Sequence, residues 1–148
     1  MTKHFRLLGF YFWILGLFTV GRWALSLGGA EYAKTTQVFS LVTLALIASA
    51  HHAAFARAFE GYKIKDALVL GALIGLTSQI VVFASTLISY MLGITTFWNT
   101  PAALNQTAEV PFAAAMMARV GGLVGNTLFN VIAAAIGYAM GGSLRPAK

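Results

Sequence analysis

The sequence predicts an all-α integral membrane protein, a bundle of four transmembrane helices joined by short loops. Two observations support this prediction. Hydrophobic residues make up 59% of the 148 residues and charged residues only 9%, whereas soluble domains carry about 25% charged residues. The apolar residues also fall into four runs, each near the roughly 20 residues that a helix needs to cross a bilayer. The chain is therefore too apolar for a soluble surface and has the length of one compact bundle.

The four runs are assigned to helices because they are long, rich in Leu and Ala, and lack the alternating pattern of a barrel strand. The first run follows a short basic segment, as the core of a signal peptide does. It is longer than a typical signal-peptide core, so we expect it to be retained. A single transmembrane domain over residues 1–148 is expected, with spans at about 7–27, 36–59, 67–92 and 119–140 and an interfacial or extended helix at 108–118.

Turn-forming residues separate the runs. Gly28 and Gly29 follow the first run, where glycine tolerates the left-handed turn that ends many helices. Residues 60–63 form a short polar turn between the second and third runs. The longest break, 93–110, combines aromatic and polar residues, as is typical of a membrane interface. Pro111 then indicates the first turn of the last helix.

The distribution of Lys and Arg predicts the orientation of the helices. Cytoplasmic loops carry an excess of these residues, so the side with seven of the ten is expected to be cytoplasmic. Both termini then face the cytoplasm, and we expect a bacterial-type inner membrane. The seven residues are Lys3, Arg6, Arg57, Lys63, Lys65, Arg145 and Lys148, and the three on the opposite side are Arg22, Lys34 and Arg119.

The adjacent histidines His51 and His52 are candidates for cofactor contact, because neutral imidazole ligates haem iron and handles protons. Adjacent residues on a helix point about 100° apart, so the two rings cannot hold one ion from one face. We expect structural hydrogen bonds from both residues. Contact with a quinone or a haem is the alternative, and no metal site is predicted.

Arg22 and Arg119 are the charges nearest to membrane depth. A charge at the centre of a bilayer costs roughly 2.5–3.5 kcal/mol on insertion scales, so such residues often mark function. Glu31 and Glu109 are the acids expected on the same side. We expect charge pairing with these acids, or long side chains that reach the interface. An anion site made by the two arginines is the alternative.

Amides within the predicted spans also need partners. Asn126 and Asn130 are four residues apart and share one face of a helix, and Gln79 lies in the preceding span. An amide in lipid is stabilised by a hydrogen bond to another helix. We therefore expect these residues to connect helices, with a polar pathway as the alternative.

Small residues at four-residue spacing predict close helix packing, because they allow two backbones to approach in lipid. The spacing does not say whether the neighbour is in the same chain. Residues 71–75 also align with 121–125, as an inverted repeat would, although two glycine-rich helices align this well by chance. The spaced residues are Gly71, Gly75, Gly121, Gly125, Ala133, Gly137 and Gly141.

The sequence contains no motif of an enzyme. It lacks a phosphate-binding glycine loop, the zinc-protease and hydrolase signatures, any cysteine, and any carboxylate within a predicted span. The expected function is that of a non-catalytic accessory subunit of a larger inner-membrane complex, respiratory or photosynthetic. Its partners would be other transmembrane subunits and structural lipids, with no cofactor and no nucleic acid. The alternatives are a small homo-oligomeric channel or transporter, and a quinone- or haem-handling protein that uses His51 or His52.

Overall fold

The computed structural model describes residues 2–144, which are all-helical and contain no strand. Four helices are long and apolar enough to cross a membrane, which confirms this part of the prediction and indicates a multi-pass membrane protein. A short helix precedes the second of them, and a 3₁₀ turn lies in the longest loop. The elements are α1 (Thr2–Leu27), α2 (Tyr32–Thr35), α3 (Leu41–Phe59), α4 (Ile64–Met91), the 3₁₀ turn (Pro101–Leu104) and α5 (Phe112–Gly141).

Helix α1 begins five residues earlier than the expected span, because its polar first turn finds partners. Lys3 lies 3.0 Å from the carboxylate of Asp66, and Arg6 lies 3.9 Å from that of Glu60. Both acids belong to the turn between α3 and α4 and to the first turn of α4. The ion pairs therefore place the start of α1 beside this turn.

Helix α3 begins later than expected, at Leu41 rather than near residue 36. The preceding residue, Ser40, caps the helix by accepting a hydrogen bond from the backbone N–H of Thr43 at 3.3 Å, which satisfies a group that the helix leaves free. Helix α5 begins directly after Pro111, so residues 112–118 of the expected helix at 108–118 are continuous with the last span, whereas residues 108–111 are not helical.

The start of α1, the end of α3, the start of α4 and the end of α5 lie together. Arg57, near the end of α3, donates to the carbonyl of Tyr138 near the end of α5 at 2.7 Å. We call this the basic end, and the opposite end holds Arg22, Lys34 and Arg119. Arg145 and Lys148, which contributed to the prediction of orientation, lie outside the described residues. The other basic residues of this end are Lys3, Arg6, Lys63 and Lys65.

Helices α4 and α5 pack closely because glycine on α4 lets the two backbones approach. A Cβ atom built at Gly71 would lie 2.6 Å from the carbonyl oxygen of Asn130, and one built at Gly75 would lie 2.9 Å from the Cα of Thr127. Gly71 also faces Ala134, which is fully buried. These contacts fix the position of α5 against α4.

Helices α3 and α5 are equally close at the basic end. A Cβ atom at Gly137 would collide with the backbone carbonyl of Ala50, and one at Gly141 would collide with that of Ala54. The three helices α3, α4 and α5 therefore form the packed core of the bundle. Helix α1 contacts α3 and α4 less extensively.

Helix α1 is attached through one narrow stripe. Leu8, Tyr11 and Leu15 are buried, and the hydroxyl of Tyr11 donates to the carbonyl of Ile74 on α4 at 3.1 Å. The opposite face is open, with Trp13 83% exposed. That apolar face is suited to lipid or to another protein.

Candidate functional site

A chain of hydrogen bonds links the amides of α4 and α5 with α3. The hydroxyl of Ser49 donates to Oδ1 of Asn130 at 2.7 Å. Nδ2 of Asn130 donates to the carbonyl of Asn126 at 2.7 Å, and Nδ2 of Asn126 donates to Oε1 of Gln79 at 3.2 Å. Gln79 and Asn130 are buried. These groups therefore bind one another across helices, in the manner expected of residues that hold a bundle together.

The two histidines occupy different environments. His51 is exposed on the outer face of α3, and His52 is half-buried. Nδ1 of His52 lies 2.8 Å from the carbonyl of Ala48, so this nitrogen carries a proton and donates. His4 packs against the ring of Tyr62 at the basic end, with 5.3 Å between ring centroids. Within residues 2–144 no group of three or more His, Cys, Asp or Glu side chains could hold a metal ion.

A cavity of about 400 Å³ lies at the end opposite the basic end, and both Arg22 and Arg119 line it. Its wall combines residues from α1, α3, α4, α5, the segment 32–40 and the loop that carries the 3₁₀ turn. We call it the arginine cavity. Other lining residues are Tyr32, Gln37, Trp98 and Asn126.

Arg22 is only 6% exposed, and its guanidinium holds the segment that follows α2. One terminal nitrogen donates to three backbone carbonyls at and just beyond the end of this short helix, where a helix leaves some carbonyl groups without partners. A positive charge is also favourable at a helix C-terminus. The acceptors are the carbonyls of Thr35, Thr36 and Val38, at 3.3, 3.0 and 2.9 Å.

Arg119 is fixed by α4 and by the loop that follows it. Its Nε donates to the hydroxyl of Thr86 at 2.9 Å, and a terminal nitrogen donates to the carbonyl of Trp98 at 2.6 Å. The hydroxyl of Thr86 donates to the carbonyl of Val82 at 2.9 Å and also lies 3.2 Å from the carbonyl of Trp98. The second guanidinium is thus held in one orientation by neutral oxygen atoms.

The expected charge pairing is not found among the described residues. Glu31 pairs with Lys34 at 2.9 Å, and both side chains are largely exposed. Glu109 is exposed as well, and no ion pair joins it to an arginine within residues 2–144. Carbonyl and hydroxyl oxygens take the place of these acids at Arg22 and Arg119.

The segment 32–40, which forms one wall of the arginine cavity, contains an unusual backbone conformation. Phe39 has φ of 52°, in the left-handed region that bulky residues rarely adopt. Its ring fills the space beside Gly21, where a Cβ atom would lie 2.7 Å from a ring carbon. The ring also packs edge-on against Phe18, with 5.4 Å between centroids. These contacts and Arg22 hold the segment in place.

Two of the glycine positions expected to pack closely face no neighbour among residues 2–144. A Cβ atom at Gly121 or at Gly125 would meet nothing within 4 Å. Ala133 is half-buried, and the adjacent Ala134 is the fully buried residue of this pair. Within the chain, close packing of α5 therefore involves Gly137 and Gly141 and not Gly121 and Gly125.

Most residues that line the arginine cavity could not be predicted from the sequence. Arg22 and Arg119 stand out by their charge, but no pattern connects them with Tyr32 or Gln37, whose polar character is ordinary for a loop. Trp98 lies in the break 93–110, which the sequence predicts only as a membrane interface. No protein-family model, no curated protein and no solved structure matches the chain.

Proposed function

We propose that this protein is a non-catalytic accessory subunit of a larger membrane complex. The observation that supports the proposal is the outer face of α5, where Gly121 and Gly125 border open space. In this proposal a transmembrane helix of another subunit packs against these two glycines. Structural lipids fill the remaining outer surface.

The energetics of glycine support this assignment. Glycine in the interior of a helix is about 1 kcal/mol less favourable than alanine, and among residues 2–144 no neighbour requires glycine at position 121 or 125, since a Cβ atom there would meet nothing within 4 Å. A second helix would offset it, since small residues allow the close approach that drives association in lipid. Neighbouring positions on the same stripe are large and exposed. These are Met117 at 72%, Val124 at 64% and Leu128 at 58%.

The proposal includes a bacterial-type inner membrane with both termini in the cytoplasm. The basic end supports it, since Lys3, Arg6, Arg57, Lys63 and Lys65 gather on one side of the bundle, as the positive-inside rule requires of a cytoplasmic face.

Single cysteines test this orientation, because the chain has none of its own. Lys65→Cys should react with membrane-impermeant thiol reagents only from the cytoplasmic side, and Gln106→Cys only from the other side. Both positions are exposed and avoid the positive φ angles of Gly61 and Asn105. Labelling of both cysteines from the same side would contradict the proposed crossing of the membrane.

Leucine substitutions on α5 test the proposed interface. Gly125→Leu should leave the isolated chain folded, because its side chain meets open space. In native membranes it should reduce co-purification of the larger polypeptides at least tenfold, because the added side chain separates the helices. Native mass measurement of the complex in mild detergent provides the readout.

Gly16→Leu on α1 is the matched control, since a Cβ atom there also meets nothing within 4 Å. This variant should co-purify normally. If the wild-type chain instead forms one discrete multiple of its own 15.8 kDa and conducts ions in liposomes, the proposal is wrong and the channel alternative takes its place. Equal loss of partners in both variants would contradict the assignment of the interface to α5.

A further inference from the structure

We propose that the arginine cavity binds a phosphate group. The inference is independent of the accessory role, because it concerns the end of the bundle where Arg22 and Arg119 lie and not the outer face of α5. It rests on the charge of the cavity, the fixed orientation of its cations, its size and its lining.

The charge of the cavity is uncompensated. Two guanidinium groups line it, and neither forms an ion pair with a carboxylate within residues 2–144. Neutral carbonyl and hydroxyl oxygens accept some of the hydrogen bonds of the two guanidinium groups. These neutral acceptors do not cancel the two positive charges. Burying unpaired charge is unfavourable, and an anion in the cavity would offset this cost.

The cations are oriented before any ligand arrives. Arg22 uses one terminal nitrogen for its backbone acceptors, and Arg119 uses its Nε and one terminal nitrogen. Each guanidinium has five N–H donors, so each retains donors for a ligand. Groups that are already held in place lose little entropy on binding.

The lining supplies a further donor without an acceptor. Trp98 lines the cavity and is 4% exposed, and its indole N–H has no hydrogen-bond partner among the described residues. Buried donors are nearly always satisfied, so such a group needs an explanation. Amide groups of Gln37 and Asn126 line the same space. Both amides can donate to oxygen atoms of an anion.

Size and chemistry define the class of ligand. A volume of about 400 Å³ lies within the roughly 300–1,000 Å³ of small-molecule sites. Guanidinium groups match the oxygens of phosphate in charge and in geometry. Part of the wall is apolar, from Val42, Val82 and Leu104, and suits a hydrocarbon body. The headgroup of an anionic lipid and a free phosphate share this chemistry.

The full chain, in phosphate-free micelles and in nanodiscs, tests the proposal in two arms. In micelles of dodecyl maltoside, a detergent without phosphate, inorganic phosphate is titrated and tryptophan fluorescence is followed in a Trp13→Phe background, because Trp13 is exposed and would add an unresponsive signal. The fluorescence then comes from Trp23 and Trp98, whose ring centroids lie 6.2 Å apart. In discs that contain phosphatidylglycerol, native mass spectrometry counts the anionic lipids retained by the protein.

Two variants with matched controls decide the outcome. Arg119→Gln should weaken binding roughly ten- to hundredfold, as the loss of a charged hydrogen-bond donor predicts. Ala118→Phe should weaken it comparably by filling the cavity, with both arginines intact, and provides the test if Arg119→Gln fails to fold. Arg6→Gln at the basic end and Ala113→Phe, an exposed position on α5, should bind as the wild type does.

The two arms distinguish the two sources of the phosphate group. A fluorescence response to inorganic phosphate that both variants weaken supports the proposal with a free anion as ligand. Retention of phosphatidylglycerol that both variants abolish, without that response, supports it with a lipid headgroup. Absence of both signals in the wild type, or equal binding by the wild type and Ala118→Phe, would overturn it.

Discussion

Replacing Gly137 with leucine is expected to destabilise the bundle by about 3 kcal/mol or more. The side chain would be built directly onto the carbonyl group of Ala50. This neighbour is backbone in the middle of α3, so it cannot rotate away as a side chain would. The two helices must separate, and the contacts that surround Gly141 would be lost as well. Unfolding of the isolated chain in mixed micelles, followed by circular dichroism, measures the loss.

Gly125→Leu is the control for this prediction, because the same change on the same helix adds a side chain where no atom lies within 4 Å. In micelles of the isolated chain it should change the free energy of unfolding by less than about 0.5 kcal/mol, as is usual for outward-facing positions. Equal stability of the two variants would mean that α3 and α5 are not packed at Gly137.

Replacing Arg22 with methionine is expected to release the segment 32–40 and to destabilise the fold by about 2 kcal/mol. The substitution keeps a long side chain but removes the donor shared by three backbone carbonyls. A fully buried acceptor left without its partner costs about 1–3 kcal/mol, these three carbonyls are part-buried, and removal of a buried charge recovers part of the cost. Hydrogen exchange should become faster in the segment 32–40 and remain unchanged in the middle of α4.

Arg6→Met provides the comparison, since the Arg6 side chain is 83% exposed and its carboxylate partner lies at 3.9 Å. An exposed pair of this kind contributes about 0–1 kcal/mol, so exchange in the segment 32–40 should be unaffected. Unchanged exchange in the Arg22 variant would show that the contacts of Phe39 alone hold the segment.

The number and order of the long helices could be predicted from the sequence because each depends on a local property. A run of apolar residues needs no knowledge of its neighbours to be identified as a span. The boundaries depend on tertiary contacts. The early start of α1 follows from ion pairs with Asp66 and Glu60, which are distant from it in the chain. The late start of α3 follows from the fold of the segment 32–40.

The residues of the candidate sites also divide into those that a local property identifies and those that depend on tertiary contacts. Arg22 and Arg119 could be identified from the sequence because charged residues are rare in apolar spans. The structure places both at one cavity. Their acceptors are backbone carbonyls and a hydroxyl, which every sequence contains in number, so no pattern could identify them. Acids were the only partners for the two arginines that the sequence indicated. The carbonyl and hydroxyl acceptors seen in the structure were not expected.

The spacing of glycines also predicts only part of the packing. The pairs Gly71/Gly75 and Gly121/Gly125 are identical in type and in separation. The first pair lies against α5 and the second against open space. A four-residue interval specifies a stripe on a helix, but the rotation of the helix about its axis decides what that stripe faces. That rotation is set by the whole bundle.

The contact between Phe39 and Gly21 has a consequence for how this protein can change in evolution. The aromatic ring occupies the space that a side chain at position 21 would need, so neither position can vary freely by itself. A lineage that gains a side chain at position 21 must lose the ring at position 39 or rebuild the segment that carries it. The two sites therefore form an epistatic pair, in which the residue tolerated at one position depends on the residue at the other.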